Sequence, residues 1–169
     1  TSVRVAFQAT LSLGAFKDKS VVPALAKIVV KYGQSSWFRT AVLVSEAGSS
    51  IDLLTALDQT SFFEKVAPWK LTFFEVFSNV IGGRNQQEQV VDLLKNLSHP
   101  FIAQTADWQT ACVKGLINGL IKGLEKRKVR DTSLEEKLKS IEAESGSNIS
   151  KAVQDLKQLY SYASKNKSV

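Results

Sequence analysis

The sequence predicts an all-α fold: a right-handed α-solenoid, or α-α superhelix, of about four helical hairpins plus a C-terminal helix. Three observations carry that expectation. Apolar residues recur with a period of about 3.6, and strand-like alternation is scarce. A two-helix phrase returns along the chain, with first helices starting at residues 3, 37, 69 and 108, which are 34, 32 and 39 apart. Spacings of this size, with two helices in each, are the mark of a stacked repeat. Glycine and proline number only 9 and 3 in 169 residues, which leaves little room for long flexible linkers.

The first helix is read over residues 3–16, with Arg4, Gln8 and Ser12 as a thin polar stripe. The rest of that segment is almost all apolar, as in a helix sandwiched between neighbours. Gly14 and Lys17-Asp18-Lys19 mark its end. Ser20 is read as the next N-cap, and Pro23 falls in the first turn, where a missing N–H costs little. Val21, Leu25, Ile28, Val29 and Tyr32 share a face of that helix, and Gly33 is its expected C-cap. Ser36 then opens a helix to about Ala47, stopped by Gly48. Ser50 opens another with Ile51, Leu54 and Leu57, followed by the apolar piece Phe62, Phe63 and Val66. Pro68 begins a long helix with Trp69, Phe73, Val76, Phe77 and Val80 on one face, and Gly82-Gly83 is read as its stop. Val90, Leu93, Leu94 and Leu97 give a helix closed by Ser98-His99-Pro100. Asp107 is the expected cap of a helix from Trp108 to about Arg127. Ser133 with Glu136 fits a capping box. Gly146 breaks the chain before a last helix bearing Ile149, Val153, Leu156 and Tyr160, and the polar tail from Ser164 frays. One domain, 1–169, follows, with repeats at about 1–34, 35–67, 68–106 and 107–145 and the added helix at 147–164.

The residues of the first two repeats carry a resemblance. Val3-Arg4-Val5-Ala6-Phe7-Gln8-Ala9-Thr10-Leu11-Ser12-Leu13-Gly14, then Pro23-Ala24-Leu25, then Ser36-Trp37-Phe38-Arg39-Thr40-Ala41-Val42-Leu43, look like HEAT repeats. More narrowly, they resemble the HEAT region of large bacterial membrane-bound dehydrogenases, which join a propeller domain, a HEAT region and a c-type haem domain. The resemblance covers most of residues 1–125 and implies a spacer in a larger exported, periplasmic or membrane-associated protein. It transfers no active-site residue, because the haem-attaching Cys-x-x-Cys-His is absent and Cys112 is the only cysteine. The chain has no methionine, and Thr1 opens directly into a periodic segment, so the sequence is read as a piece of a longer protein.

Composition excludes several chemistries. One cysteine and one histidine, His99, rule out an internal disulfide framework and a Cys- or His-rich metal cluster. No apolar run reaches the length of a membrane span. No phosphate-cradling glycine loop ends in Gly-Lys-Ser/Thr. His99 and Cys112 are read as structural, and Glu135, Glu136, Glu142 and Glu144 as a solvated charged segment. Gly115, Gly119 and Gly123 repeat every four residues, read as a close approach of two helix backbones rather than a membrane dimer motif. No catalytic residue, cofactor or metal site is assigned.

What remains is a candidate interaction surface: Trp37, Trp69 and Trp108, each at a helix start, with Lys122, Lys126, Arg127, Lys128 and Arg130. Of the net charge of +6, residues 1–113 contribute +1 (10 Lys/Arg, 9 Asp/Glu) and residues 114–169 contribute +5 (12 and 7). The basic cluster is either an anion-attracting patch or a solvated helix end, where cations complement the dipole. The tryptophans either anchor a partner or bridge adjacent repeats, and packing is the favoured reading. The functional expectation is a non-catalytic scaffold or protein-interaction module that engages flanking domains or another protein. The alternative is a HEAT-like nucleic-acid binder using the basic C-terminal third.

Overall fold

A computed structural model describes residues 2–16, 18–46, 48–127 and 131–165. Among these, every regular element is helical and none is a strand. In order they are α1 (Val3–Leu13), a 3-10 turn (Lys19–Val21), α2 (Val22–Tyr32), α3 (Ser36–Ser45), α4 (Ser50–Asp58), α5 (Pro68–Arg84), α6 (Gln87–Asn96), α7 (Pro100–Ala103), α8 (Ala106–Lys126), α9 (Thr132–Ser145) and α10 (Ile149–Lys165). The all-α expectation holds. No helix among the described residues is long and apolar enough to cross a membrane.

The helix ends differ in detail from the sequence reading, because neighbouring Ser, Thr and Asp residues offer several caps and the backbone takes one. Ser20 does not cap α2: Asp18 caps the preceding 3-10 turn, its carboxylate accepting from the Ser20 N–H at 2.9 Å, and Val21 takes the N-cap of α2 with no side-chain cap bond. Asp131 likewise caps α9 by accepting from the Leu134 N–H at 3.1 Å, in place of Ser133. Ser35 and Ser49 stand one residue before the expected caps of α3 and α4, and Thr105 precedes α8 in place of Asp107. Lys17 and Ala47, expected at helix ends, lie outside the described residues, as do Thr1 and 166–169 of the tail.

Packing divides the chain into two compact units, residues 1–73 and 74–169, with the boundary inside α5. In the first unit α1 packs on α3, α2 on α4, and α2 on α3. Leu25, Val29, Phe38, Val42, Leu53, Leu54 and Leu57 form the core. Phe62 and Phe63, in the non-helical segment after α4, are also buried, at about 1.5–3 kcal/mol of transfer free energy each. Their burial holds that segment down, with turn bonds from the Thr60 N–H to the Leu57 carbonyl and the Phe62 N–H to Thr60 Oγ1. Ser45 Oγ donates to the Thr10 carbonyl across α1 and α3 at 2.9 Å. Gly14 leaves room for that contact, since a Cβ there would lie 2.9 Å from Ser45 Cα. The expected sandwiching of α1 is met on one side only: Thr10 is buried against α3, while Val3, Val5 and Leu11 are 61, 57 and 42% exposed.

In the second unit α8 is the central element, packed on α7, α9 and α10. Its glycines lie against the backbone of α5. A Cβ at Gly115 or Gly119 would come within 3.0 Å of the carbonyl oxygens of Glu75 or Asn79, and one at Gly82 within 3.0 Å of that of Leu116. The close approach read from the α8 stripe is present, and its partner is the Gly82-Gly83 pair. That pair does not stop α5, contrary to the sequence reading; the helix continues to Arg84 and leaves its helical path at Asn85, with φ 49°. The glycines serve proximity, not termination. The last helix, α10, packs on α6, α8 and α9 and buries Ala152, Val153, Leu156 and Tyr160. It is part of this unit's core.

Candidate interaction surface

The register of each helix decides where its tryptophan goes. In α3 Phe38, Ala41, Val42 and Ser45 are buried at the spacing i, i+3, i+4, i+7, with Leu43 buried beside them. Trp37, Thr40 and Val44 fall on the other side. Trp37 is accordingly 74% exposed and Val44 68%. In α8 the buried stripe is Trp108, Ala111, Cys112 and Gly115 at the same spacing, so Trp108 enters the core and is 1% exposed. Its ring meets Phe74 edge to face, with centroids 6.0 Å apart. Trp69 is half-buried. It lies edge-on to Phe62 at 5.9 Å and covers Gly33, where a Cβ would strike the indole. Gly33 ends α2 in a right-handed conformation, φ −65°, so its use is this close contact rather than a left-handed cap. Of the three tryptophans, one is a surface group, one a packing group and one a core group.

Beside Trp69, Lys70 Nζ donates to the carbonyls of Phe62 at 2.6 Å and Lys65 at 3.1 Å. It also sits 5.2 Å from the Phe62 ring centroid and 5.8 Å from that of Trp69. Burial pushes this ammonium below the usual lysine pKa, with the Glu64 carboxylate acting the other way. Lys70 clamps the turn after α4.

Around Trp37 the surface is concave. Val3, Arg4, Phe7 and Gln8 of α1 face Trp37 and Phe38 across a groove of about 450 Å³. Phe7 and Phe38 form its floor in an edge-to-face pair, centroids 5.5 Å apart. Tyr32 stacks on Phe38 at 4.7 Å and fixes that ring from the other side. The arginines of α1 and α3 behave differently. Arg39 donates to the carbonyls of Gly33 and Gln34 at 2.7 and 3.0 Å, closing the end of α2. Arg4 is exposed, and no carboxylate among the described residues pairs with it.

Of the predicted basic cluster, Lys122, Lys126 and Arg127 are exposed on the last turns of α8. Arg127 directs its guanidinium to the Arg84 carbonyl at 3.1 Å. Lys128 and Arg130 lie outside the described residues. Elsewhere in the second unit three lysines are paired: Lys114 meets Glu75 at 3.1 Å, Lys139 meets Glu135, and Lys151 meets Glu144 and Asp155. Hydrogen bonds to these carboxylates hold the Lys139 and Lys151 ammonium groups above the usual lysine pKa. Glu135 and Glu144 are therefore ion-pair partners.

Among the described residues no group of three or more His, Cys, Asp or Glu is placed to hold a metal ion. His99 occupies the N-cap position of the short α7. Cys112 is fully buried, and desolvation pushes its thiol up to about 12, against a smaller opposing hydrogen bond from Ser78. A thiol that stays protonated at neutral pH is a poor nucleophile.

No family model, curated protein or solved structure matches the chain. Sequence reasoning grouped three tryptophans and five cations. The structure leaves Trp37 as the exposed tryptophan and adds Val3, Arg4, Phe7 and Phe38, whose signal in the sequence is the acid-free, apolar character of α1 and α3.

Proposed function

We propose that this chain is a non-catalytic interaction module, a HEAT-like α-solenoid segment that presents a binding face within a larger multidomain protein. The observation that carries the reading is Trp37, 74% exposed beside an apolar groove. A large aromatic left in water next to a concave apolar wall marks a surface that meets a partner. The pairing of α1 with α3 and α2 with α4 supports the repeat architecture, since stacked hairpins bring first helices onto first and second onto second. The resemblance of residues 1–125 to the HEAT region of bacterial membrane-bound dehydrogenases supports a role as spacer and docking element beside a redox domain. The nucleic-acid alternative keeps the exposed Lys122, Lys126 and Arg127 but loses Trp108, whose burial removes it as a base-stacking platform.

The test is photocrosslinking in the source cell from two positions, Val44 near Trp37 and Lys126 on α8, each replaced by a benzophenone amino acid. The module reading expects a discrete protein adduct from position 44 that disappears with Trp37→Ala. Nucleic-acid adducts from position 126, with no protein adduct from position 44, would overturn it in favour of the alternative.

A further inference from the structure

We infer that the α1/α3 groove takes a protein segment carrying a bulky apolar side chain beside a carboxylate, with the side chain against Trp37 and Phe7 and the carboxylate on Arg4. The inference rests on the interaction-module reading and names the partner's chemistry. The groove, about 450 Å³, falls in the range of a ligand-sized cleft. Val3, Phe7, Trp37 and Phe38 line it, so burying an aromatic or leucine side chain there removes apolar surface from water on both sides. The Phe7–Phe38–Tyr32 ring cluster holds the floor in place before anything binds.

Charge selects the second part of the ligand. Arg4 is the only charged residue of α1 and Arg39 the only one of α3, and Arg39 is committed to the Gly33 and Gln34 carbonyls. Neither helix carries an acid, and Glu46, just after α3, is buried with its carboxylate held by Ser50 Oγ at 2.9 Å. Arg4 therefore faces the groove without a competing internal carboxylate. Guanidinium pairs with carboxylate in a bidentate geometry and repels a basic segment. Residues 1–73, which form the unit that holds the groove, carry 8 Lys/Arg against 5 Asp/Glu, a net charge of +3 that favours acidic segments on approach. A second copy of this chain would bring another Arg4 and no acid on the same face. One free arginine in an apolar wall is also too little for a phosphate backbone, whose binding scales with the number of cations engaged.

The experiment uses the full chain and two blocked pentapeptides, each with a central phenylalanine, one flanked by glutamates and the other by lysines. Binding is read by Trp fluorescence and by titration calorimetry. The glutamate peptide is expected to bind about tenfold more tightly than the lysine peptide, the scale of one charge-assisted pair. Arg4→Gln removes that preference and Arg4→Glu inverts it, while Trp37→Ala weakens both peptides and leaves the melting curve in place. Equal binding of the two peptides, or glutamate-peptide binding that survives Trp37→Ala, overturns the assignment. So does reversible self-association abolished by Trp37→Ala, which gives the groove to a second copy. If position 44 crosslinks to a protein in cells but the glutamate peptide shows no preference, the partner chemistry alone falls. If neither crosslink nor peptide binding is seen, the interaction reading falls with it.

Discussion

Gly119→Ala separates two readings of the glycine stripe on α8. As a helix residue, alanine is better than glycine by about 0.8–1 kcal/mol, so propensity alone predicts a more stable protein. The structure predicts the opposite. A Cβ at residue 119 would lie within 3.0 Å of the Asn79 carbonyl oxygen and of the Gly83 nitrogen, and both are backbone atoms that cannot rotate away. Relief requires α5 and α8 to part by about 1 Å, a gap that forfeits a quarter to a half of each facing dispersion contact. Overpacking of this kind costs about 1–3 kcal/mol, at the high end where only backbone can give. Set against the propensity gain, the net loss is about 1–2 kcal/mol, or a fall in melting temperature of roughly 5–10 °C for a unit of this size. The control is Gly83→Ala. A Cβ there meets nothing closer than the Gly119 carbonyl oxygen at 3.9 Å, so it keeps the propensity gain and raises stability by up to about 1 kcal/mol. Urea denaturation followed by helical circular dichroism measures all three proteins. A Gly119→Ala chain as stable as wild type, or a Gly83→Ala chain that loses as much as Gly119→Ala, would falsify the backbone-to-backbone contact.

Three further outcomes follow from named contacts. Trp108→Ala empties a core site that is 1% exposed and should cost about 3–5 kcal/mol, whereas Trp37→Ala should change stability by less than about 0.5 kcal/mol; comparable losses in thermal melts would mean that the two indoles are placed wrongly. Asn85 holds φ 49° after α5; Asn85→Gly should be near neutral and Asn85→Val should cost about 1–3 kcal/mol, read by the same urea titration, and a harmless valine would count against the left-handed turn. Cys112 has its folded pKa raised from 9.0 to about 12 by burial. The folded state therefore keeps a proton that the unfolded state gives up, and this contribution is full below about pH 9 and falls as pH rises towards 12. The stability of wild type relative to Cys112→Ala should drop by up to about 1.4 kcal/mol per pH unit across that window, and a pH-independent difference would show that the thiol is not desolvated.

Helices were legible because their signal is local. Val90, Leu93, Leu94 and Leu97 announce α6, and Ile149, Val153, Leu156 and Tyr160 announce α10, from spacing alone. That α10 packs on α6 is not in either pattern, because an apolar stripe specifies that it is buried and not by what. Gly82-Gly83 failed for the same reason. Glycine ends a helix by entering the left-handed region, and it also lets another backbone come close. Which use applies at residues 82 and 83 is decided by Gly115 and Gly119 on α8, more than thirty residues later.

The tryptophans show what a position-based reading leaves out. Trp37 and Trp108 both stand near a helix start, and that shared place made them equivalent in the sequence. Register sorts them: Ala111, Cys112 and Gly115 follow Trp108 at i+3, i+4 and i+7 and continue its stripe into the core. After Trp37 the same offsets give Thr40, Ala41 and Val44, of which only Ala41 is buried. The compact stripe starts one residue later, at Phe38, and a shift of one position is about 100° around the helix. That rotation puts one indole in water and the other in a core. It also ties the candidate site to the fold, since the residues that bury Phe38 against Phe7 and Tyr32 are those that leave Trp37 standing at the rim of the groove.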